Sequence, residues 1–318
     1  MKSYLFLVLD IFFALLAIPG AWFFWAIRRL GFIRLPYTKK ILLMVGVVPI
    51  RRHYYEPLFH PGDLHSQLDR PRKLYINWND DLQLDLLSMF KYQEEIIEIY
   101  RQKKSKYEFS FENNSFGPGD ADYFYSFIRQ KKPRKIIEIG SGNSTLLARL
   151  AIAKNKAEDP LYCCRHVCIE PYEFKWLETL PDIEVIRTRV ELVDKEIFGG
   201  LASGDLLFID SSHIIRPQGD VLSEILEILP ALSPGVYIHF HDVFSPSDYP
   251  EEWVLGCLWY WNEQYLLEAL LTGSNMFQVV GALNYLKAKY PSELSRSLPV
   301  FALNQSKCSL GSFYIQRI

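Results

Sequence analysis

Cysteine is scarce in this chain. Five cysteines in 318 residues are an odd number, in no framework spacing, which argues against a disulfide scaffold. Cys163, Cys164 and Cys168 fall together in Cys-Cys-Arg-His-Val-Cys. That run leads straight into a strand ending at Glu170, so reduced, partly buried thiols are expected rather than a metal cage. An excess of one charge is also missing, since the net charge is −2. Residues 1–60 nevertheless hold eight Lys/Arg and two acids, giving +6 there and −8 over the rest. An acidic body argues against nucleic acid as a partner. No internal repeat or low-complexity segment appears. With 49% hydrophobic and 23% charged residues, the chain reads as an ordered protein with a real core.

A further absence concerns glycine. Lys135-Ile-Ile-Glu-Ile-Gly-Ser-Gly-Asn-Ser-Thr-Leu-Leu-Ala148 reads as a short strand, a glycine turn and a helix start. The strand is apolar without alternation, as in a parallel sheet covered on both faces. Glycine lets the backbone approach a ligand, and the helix start offers unpaired N–H groups. A dinucleotide fingerprint needs a third glycine three residues after the second. Thr145 stands there, so a nicotinamide-dependent oxidoreductase fits poorly. The strand carries an acid, Glu138, two residues before Gly140. Glu138-x-Gly140-x-Gly142 resembles the opening motif of the class I S-adenosylmethionine (SAM) methyltransferases. That resemblance implies that Glu138 lies near the amino-acid end of SAM, with Gly140, Ser141, Gly142 and Ser144 in the cofactor loop. Serine replaces the family's usual third glycine at position 144, where it can cap the helix.

The N-terminus holds the one long apolar run. Tyr4 to Ile27 is 24 residues with a single charge, Asp10, and 14 of them are Leu, Ile, Val or Phe. On the insertion scale these sum to on the order of −6 kcal/mol, against roughly +3 kcal/mol for one Asp. A transmembrane helix over residues 4–27 is therefore expected. The alternative, a cleaved signal peptide, lacks a clean small-x-small site. The basic residues that follow read as a cytoplasmic flank, which places the C-terminal body in the cytoplasm of a single-pass membrane protein. Ile41 to Ile50 is a second apolar run, too short to span and bracketed by Lys39, Lys40, Arg51 and Arg52. Contact with the membrane surface or packing on the domain are both open to it. Residues 53–61, rich in aromatics and proline, read as an ordered loop. The expected division is an anchor over 1–30, a basic juxtamembrane segment and loop over 31–78, an N-terminal helix over 79–110 and a SAM-binding domain over 111–318.

One amphipathic helix is expected from about Asp80 to Tyr100, and a short one capped by Asp120 runs through Ile128. Beyond Lys135, strands and helices alternate, the signature of a parallel α/β sheet. Strands are expected near 135–139, 166–169, 184–188, 205–209 and 236–240, with two late strands near 277–283 and 312–316. Helices are expected over about 218–229 and 251–271. The fold class is thus α/β, Rossmann-like, with a mostly parallel seven-stranded sheet plus the N-terminal transmembrane helix. Ligands of such sheets sit beyond the carboxyl ends of the strands. Polar residues gather at those ends: Gly140 to Gly142, Glu170, Asp210, and His241 with Asp242. Glu170 lies 28 residues past Gly142, where an acid is placed to take both ribose hydroxyls, as in the SAM family.

Phe208-Ile-Asp210-Ser-Ser-His213 and His241-Asp242-Val243 resemble the metal-dependent O-methyltransferases of the macrocin type, which act on sugar hydroxyls. The resemblance covers roughly residues 110–318. It implies Asp210 and Asp242 as ligands of Mg2+ or another divalent cation, Asp210 also beside the cofactor, and His213 as general base. His241 stands where relatives can have an acid, and imidazole is a poorer ligand for magnesium. Trp261-Asn-Glu-Gln-Tyr265 and Gly311-Ser-Phe-Tyr-Ile resemble recurring elements of related bacterial methyltransferases. Their aromatic-polar mixture can line an acceptor pocket, but core packing is the expected role of Trp261 and Tyr265. His239 lies deeper on the strand of His241 and is expected to be packed. Together these features predict a membrane-anchored SAM-dependent methyltransferase acting on a small-molecule or lipid-linked hydroxyl acceptor. The alternative is an inactive SAM-fold module used for binding or assembly at the membrane.

Overall fold

A computed structural model of the chain describes residues 2–53, 56–102, 107–306 and 308–318. Tyr54 and Tyr55 of the aromatic loop lie outside the described residues. The chain forms two compact units, Met1–Gln67 and Leu68–Ile318, so residues 68–110 belong with the body that follows them.

In the first unit, α1 spans Lys2–Leu30. Its stretch Tyr4–Leu30 is long and apolar enough to cross a membrane. A core helix of a soluble protein would bury such a stretch, and here its most apolar window has no buried share. A ten-residue helix, α2 (Pro36–Val45), follows.

The second unit opens with α3 (Asp80–Met89) and α4 (Gln93–Arg101). The single helix expected over 80–100 is thus two. The break falls where Phe90 adopts an extended backbone and turns its ring into the core against Tyr123, 5.1 Å between centroids. Burying that aromatic outweighs continuing the helix. α5 runs Asp120–Lys131, and Asp120 does not cap it. Its carboxylate instead accepts from the backbone N–H of Gly311 (3.2 Å) and Ser312 (2.8 Å), while Asp122 accepts from Gly119 N–H at 2.9 Å.

The sheet comprises β1 (Lys135–Ile139), β2 (Arg165–Ile169), β3 (Glu184–Ile186), β4 (Leu206–Ile209), β5 (Tyr237–Phe240), β6 (Phe277–Ala282) and β7 (Phe313–Arg317). Their spatial order is β3-β2-β1-β4-β5-β7-β6. The sheet is mixed rather than mostly parallel. β3, β2, β1, β4 and β5 pair in parallel, but β7 inserts antiparallel between β5 and β6. Individual strand patterns do not reveal this, because a strand buried on both faces reads alike in either direction. Both faces are covered as expected: Ile136 and Phe208 pack in one core, Ile137, Ile139, Leu207 and Ile209 in the other. α6 (Asn143–Glu158) follows β1. The helical stretch over 220–231 is interrupted by a π-helix, Glu224–Ile228. The expected helix over 251–271 is also broken, into a π-helical turn at Glu252–Gly256 and a helix at Glu263–Gly273.

A buried arginine ties three helices together. Arg129 of α5 is fully buried and donates to Glu95 of α4 at 2.9 and 3.0 Å, and to Asn155 and Glu158 of α6. Removing one partner of a buried charge cluster strands the others. Arg129→Ala should therefore cost about 3 kcal/mol of stability in chemical denaturation. A loss within experimental error would show that the cluster contributes nothing to the fold.

Candidate active site

The order of strands reverses between β1 and β4, and the ligand crevice of such a sheet opens there. A cleft of about 780 Å³ lies at that point. Gly140, Ser141, Gly142, Ser144, Glu170, Asp210, His213, His241 and Asp242 all line it. Nine of the ten site residues named from the sequence thus converge on one cavity.

Glu138 is the exception. It is fully buried and absent from the lining. Its carboxylate accepts from Thr145 Oγ1 (2.6 Å) and Ser144 Oγ (3.2 Å), and pairs with His166 Nε2 at 2.8 Å. Burial disfavours a charge on His166, but Cys168 and Glu138 outweigh it and push the ring up to about 10. Glu138 therefore braces the glycine turn from behind. Ser144 does not cap α6. Thr145 Oγ1 accepts from Gly142 N–H at 3.1 Å instead, so the residue that replaces the dinucleotide glycine closes the turn.

The cradle is built from backbone. Gly140 has φ +78°, and a Cβ there would collide with the carbonyl oxygen of Asp210. Glycine is the residue that meets both demands. The strand ladder carries on into the site: Gly140 N–H donates to Ile169 O (3.0 Å), Asp210 N–H to Ile139 O (2.8 Å) and His241 N–H to Ile209 O (2.9 Å). Across the cleft, Glu170 Oε1 accepts from the N–H groups of Tyr172 and Glu173, both at 2.8 Å. Its Oε2 lies 3.5 Å from Ser141 N. Two backbone donors thus aim one carboxylate at the loop.

The second half of the site is a charged cluster. Asp210, His241 and Asp242 each offer a ligand atom, all within 4.8 Å of one another. His241 Nδ1 is 3.5 Å from Asp210 Oδ1 and 3.6 Å from Asp242 Oδ1. It is buried with no hydrogen-bond partner. An orphaned buried nitrogen facing two carboxylates fits a divalent cation. The donor set suits a transition-metal ion better than magnesium. Burial disfavours the charge on His241, but Asp242 and Asp210 outweigh it and push the ring up to about 10. Burial pushes Asp242 up to about 6, against the pull of His241. Burial opposes the charge of Asp210 too, yet His241 and His213 hold it far below the ordinary carboxylate range.

His213 adopts a left-handed backbone, φ +59°, that turns its ring into the cleft. Nε2 lies 3.3 Å from Asp210 Oδ1 and 3.8 Å from Asp242 Oδ2, and Nδ1 pairs with Glu263 Oε2 at 2.8 Å. Burial disfavours the protonated ring, but Asp210 and Glu263 outweigh it, so its pKa stands well above the ordinary imidazole value. The backbone agrees with this pairing, since Asn262 and Glu263 N–H both donate to His213 O, at 2.9 and 3.2 Å. His239 is packed, as expected, against Tyr314 at 4.0 Å and beside Ser312.

Sequence reasoning missed Glu263 and Asp120. Glu263 lies 50 residues from His213, and no spacing links them. Its only signal was its place in Trp261-Asn-Glu-Gln-Tyr265. Asp120 places a carboxylate oxygen 4.0 Å from His241 Nε2, on the far side of the ring from the cluster. Trp261 also departs from expectation. Instead of sitting in the core, it lines the cleft with Trp253 and Trp259, its ring 4.2 Å from that of His213. Tyr265 is exposed and donates to Asp248 at 3.0 Å. Cys163, Cys164 and Cys168 form no joint site, being exposed, half-buried and buried in turn.

Residues 137–243 match the family model of a methyltransferase domain. That stretch, about a third of the chain, runs from within β1 to the residue after Asp242. No curated protein matches the chain. Among solved structures, an O-methyltransferase from Bacillus cereus in complex with SAH is similar at 14% identity and a TM-score of 0.37, covering 74% of this chain and 91% of its own. The plantazolicin methyltransferase BpumL in complex with SAH is similar at 12% identity and a TM-score of 0.30, covering 62% and 81%.

Proposed function

We propose that this protein is a membrane-anchored SAM-dependent O-methyltransferase whose acceptor is a sugar, a glycolipid or another small hydroxyl compound. One observation carries the reading: a histidine backed by a buried carboxylate faces an acidic cluster in the same cleft as the glycine cradle. The matched family supplies the methyl transfer. The His213–Glu263 pair supplies the case for oxygen, because a hydroxyl must lose its proton to become a competent nucleophile.

SAM when bound provides the methyl group. Gly140 to Gly142 would receive its amino-acid portion, and Glu170 would take the ribose hydroxyls. A divalent cation held by Asp210, His241 and Asp242 would lower the pKa of an acceptor hydroxyl. The chain's own residues do the rest. Glu263 holds Nδ1 of His213 and fixes the ring, leaving Nε2 to face the cleft. Asp210, which helps raise the ring's pKa, is among the residues that would hold the cation; with its charge taken up there, Nε2 would be free to accept the acceptor proton as the methyl is transferred. Holding acceptor and cofactor in one cleft replaces a bimolecular encounter by a positioned one. Trp253, Trp259 and Trp261 form an aromatic wall beside His213, against which a sugar ring or an aromatic acceptor would lie. The helix Tyr4–Leu30 would keep the enzyme at the bilayer, with the body on the cytosolic side where SAM is made.

The reading is tested by calorimetry on the full-length chain in detergent. SAM should bind with micromolar affinity, and Glu170→Ala should weaken it by about 100-fold through loss of the paired ribose hydrogen bonds. Mn2+ should bind more tightly than Mg2+, and His241→Ala should remove that preference. Absence of SAM binding in well-folded protein would sink the proposal in favour of a binding or assembly module.

A further inference from the structure

The unit Met1–Gln67 carries an apolar surface that nothing within it covers. From the last turn of α1 onward, the chain from Arg28 to Arg52 contains seven cations and no acid. Within it, α2 has no buried residue. Ile41, Leu43, Met44, Val45, Val47, Val48 and Ile50 are all exposed, Met44 at 78%. These apolar residues are not spread along one helix face. They are grouped, with Arg34, Lys39 and Lys40 before them and Arg51 and Arg52 after.

The two ends of this segment are held together. Glu56 accepts from Arg28, the end of the candidate span, and from Arg51 through both its backbone N–H (3.3 Å) and its Nε (3.4 Å). Arg52 pairs with Asp63. Residues 29–50 therefore form a loop whose ends both lie at the end of α1. The loop turns at Gly46, whose φ of +83° lets its N–H close on Leu42 O at 2.9 Å and ends α2. Ten helical residues span about 15 Å, half of a bilayer core. Residues 47–50 belong to no helix or strand, and unpaired backbone is not tolerated deep in hydrocarbon. The geometry thus suits a shallow seat at the boundary of headgroups and acyl chains.

We infer that residues 34–51 are a second membrane contact, a loop that enters one leaflet beside α1 and selects anionic phospholipid. The occupant follows from charge and continuity. Arg29, Arg34, Lys39 and Lys40 make no ion pair among the described residues, and such cations are attracted to anionic headgroups. The apolar tip follows them in the chain, and Arg51 just beyond it is tied back to the end of the candidate span through Glu56. This inference rests on the proposed membrane anchoring of α1.

The test uses the full-length wild-type chain reconstituted in phosphatidylcholine–phosphatidylglycerol vesicles containing a lipid with a diazirine high on its acyl chain. After photolysis, trypsin separates residues 3–28 from residues 41–51. Lipid adducts on both peptides are the expected result. Adducts on 3–28 alone overturn the inference and leave the anchor standing. Adducts on neither peptide overturn both. The double variant L43E/V47E should lower the 41–51 adduct at least about fivefold relative to 3–28, because two charges oppose insertion of the tip. Replacing phosphatidylglycerol by phosphatidylcholine should also lower it, and an unchanged yield there would overturn the selectivity for anionic lipid.

Discussion

His213→Ala should lower methyl transfer from labelled SAM into a membrane lipid extract by about 10³-fold, within the range for a lost general base. SAM affinity should stay within about twofold of wild type, since on the proposed reading His213 would face the acceptor and Glu170 the cofactor. The physical reason is the direction in which Nε2 faces. It lies near Asp210 and Asp242, where an acceptor oxygen would be held, while Nδ1 is occupied by Glu263. Glu263→Gln should act through the same ring more mildly. Glutamine keeps the volume but loses the charge that orients the imidazole, so kcat should fall about 10–100-fold with KM little changed. Equal activity of His213→Ala and wild type would remove His213 from the mechanism and return the site to a binding role.

Gly140→Ala should remove SAM binding and cost on the order of 3–5 kcal/mol of stability, from strain at positive φ added to overpacking. The added methyl has nowhere to go. It meets the carbonyl oxygen of Asp210, whose own N–H is bound to Ile139 on the neighbouring strand. Relief would require β1 and β4 to separate where the cleft opens between them. Denaturant unfolding and calorimetry read the two effects separately. A variant that unfolds like wild type and still binds SAM would show that the turn is softer than its geometry implies.

The positions of the site residues were legible because the chemistry and the topology coincide. A parallel sheet places its ligand beyond the carboxyl ends of its strands, and Gly140, Glu170, Asp210 and His241 each follow a strand that apolar runs reveal. Glu138 shows where this reasoning stops. A strand acid next to a glycine turn can face the ligand or the core, and burial decides between them. Here two hydroxyls and a histidine supply enough partners to hold it inside. The helix breaks at Phe90 and at 257–262 were equally hidden. The first arises where Phe90 turns inward against Tyr123, distant in the chain, and the second where Trp253, Trp259 and Trp261 gather along the cleft; local propensity carries no trace of such contacts.

Composition and order along the chain were therefore sufficient for the α/β class, the glycine turn, the apolar N-terminal helix and the placing of acids and histidines at the strand ends. These follow from local patterns, read over a few residues at a time. Only the tertiary structure decided that β7 inserts antiparallel, that Glu263 backs His213, that Asp120 lies beside His241, and that Arg28 and Arg51 meet at Glu56. Each of these depends on groups tens of residues apart satisfying one another's charge or hydrogen bonds, and such pairing is a property of packing rather than of sequence spacing.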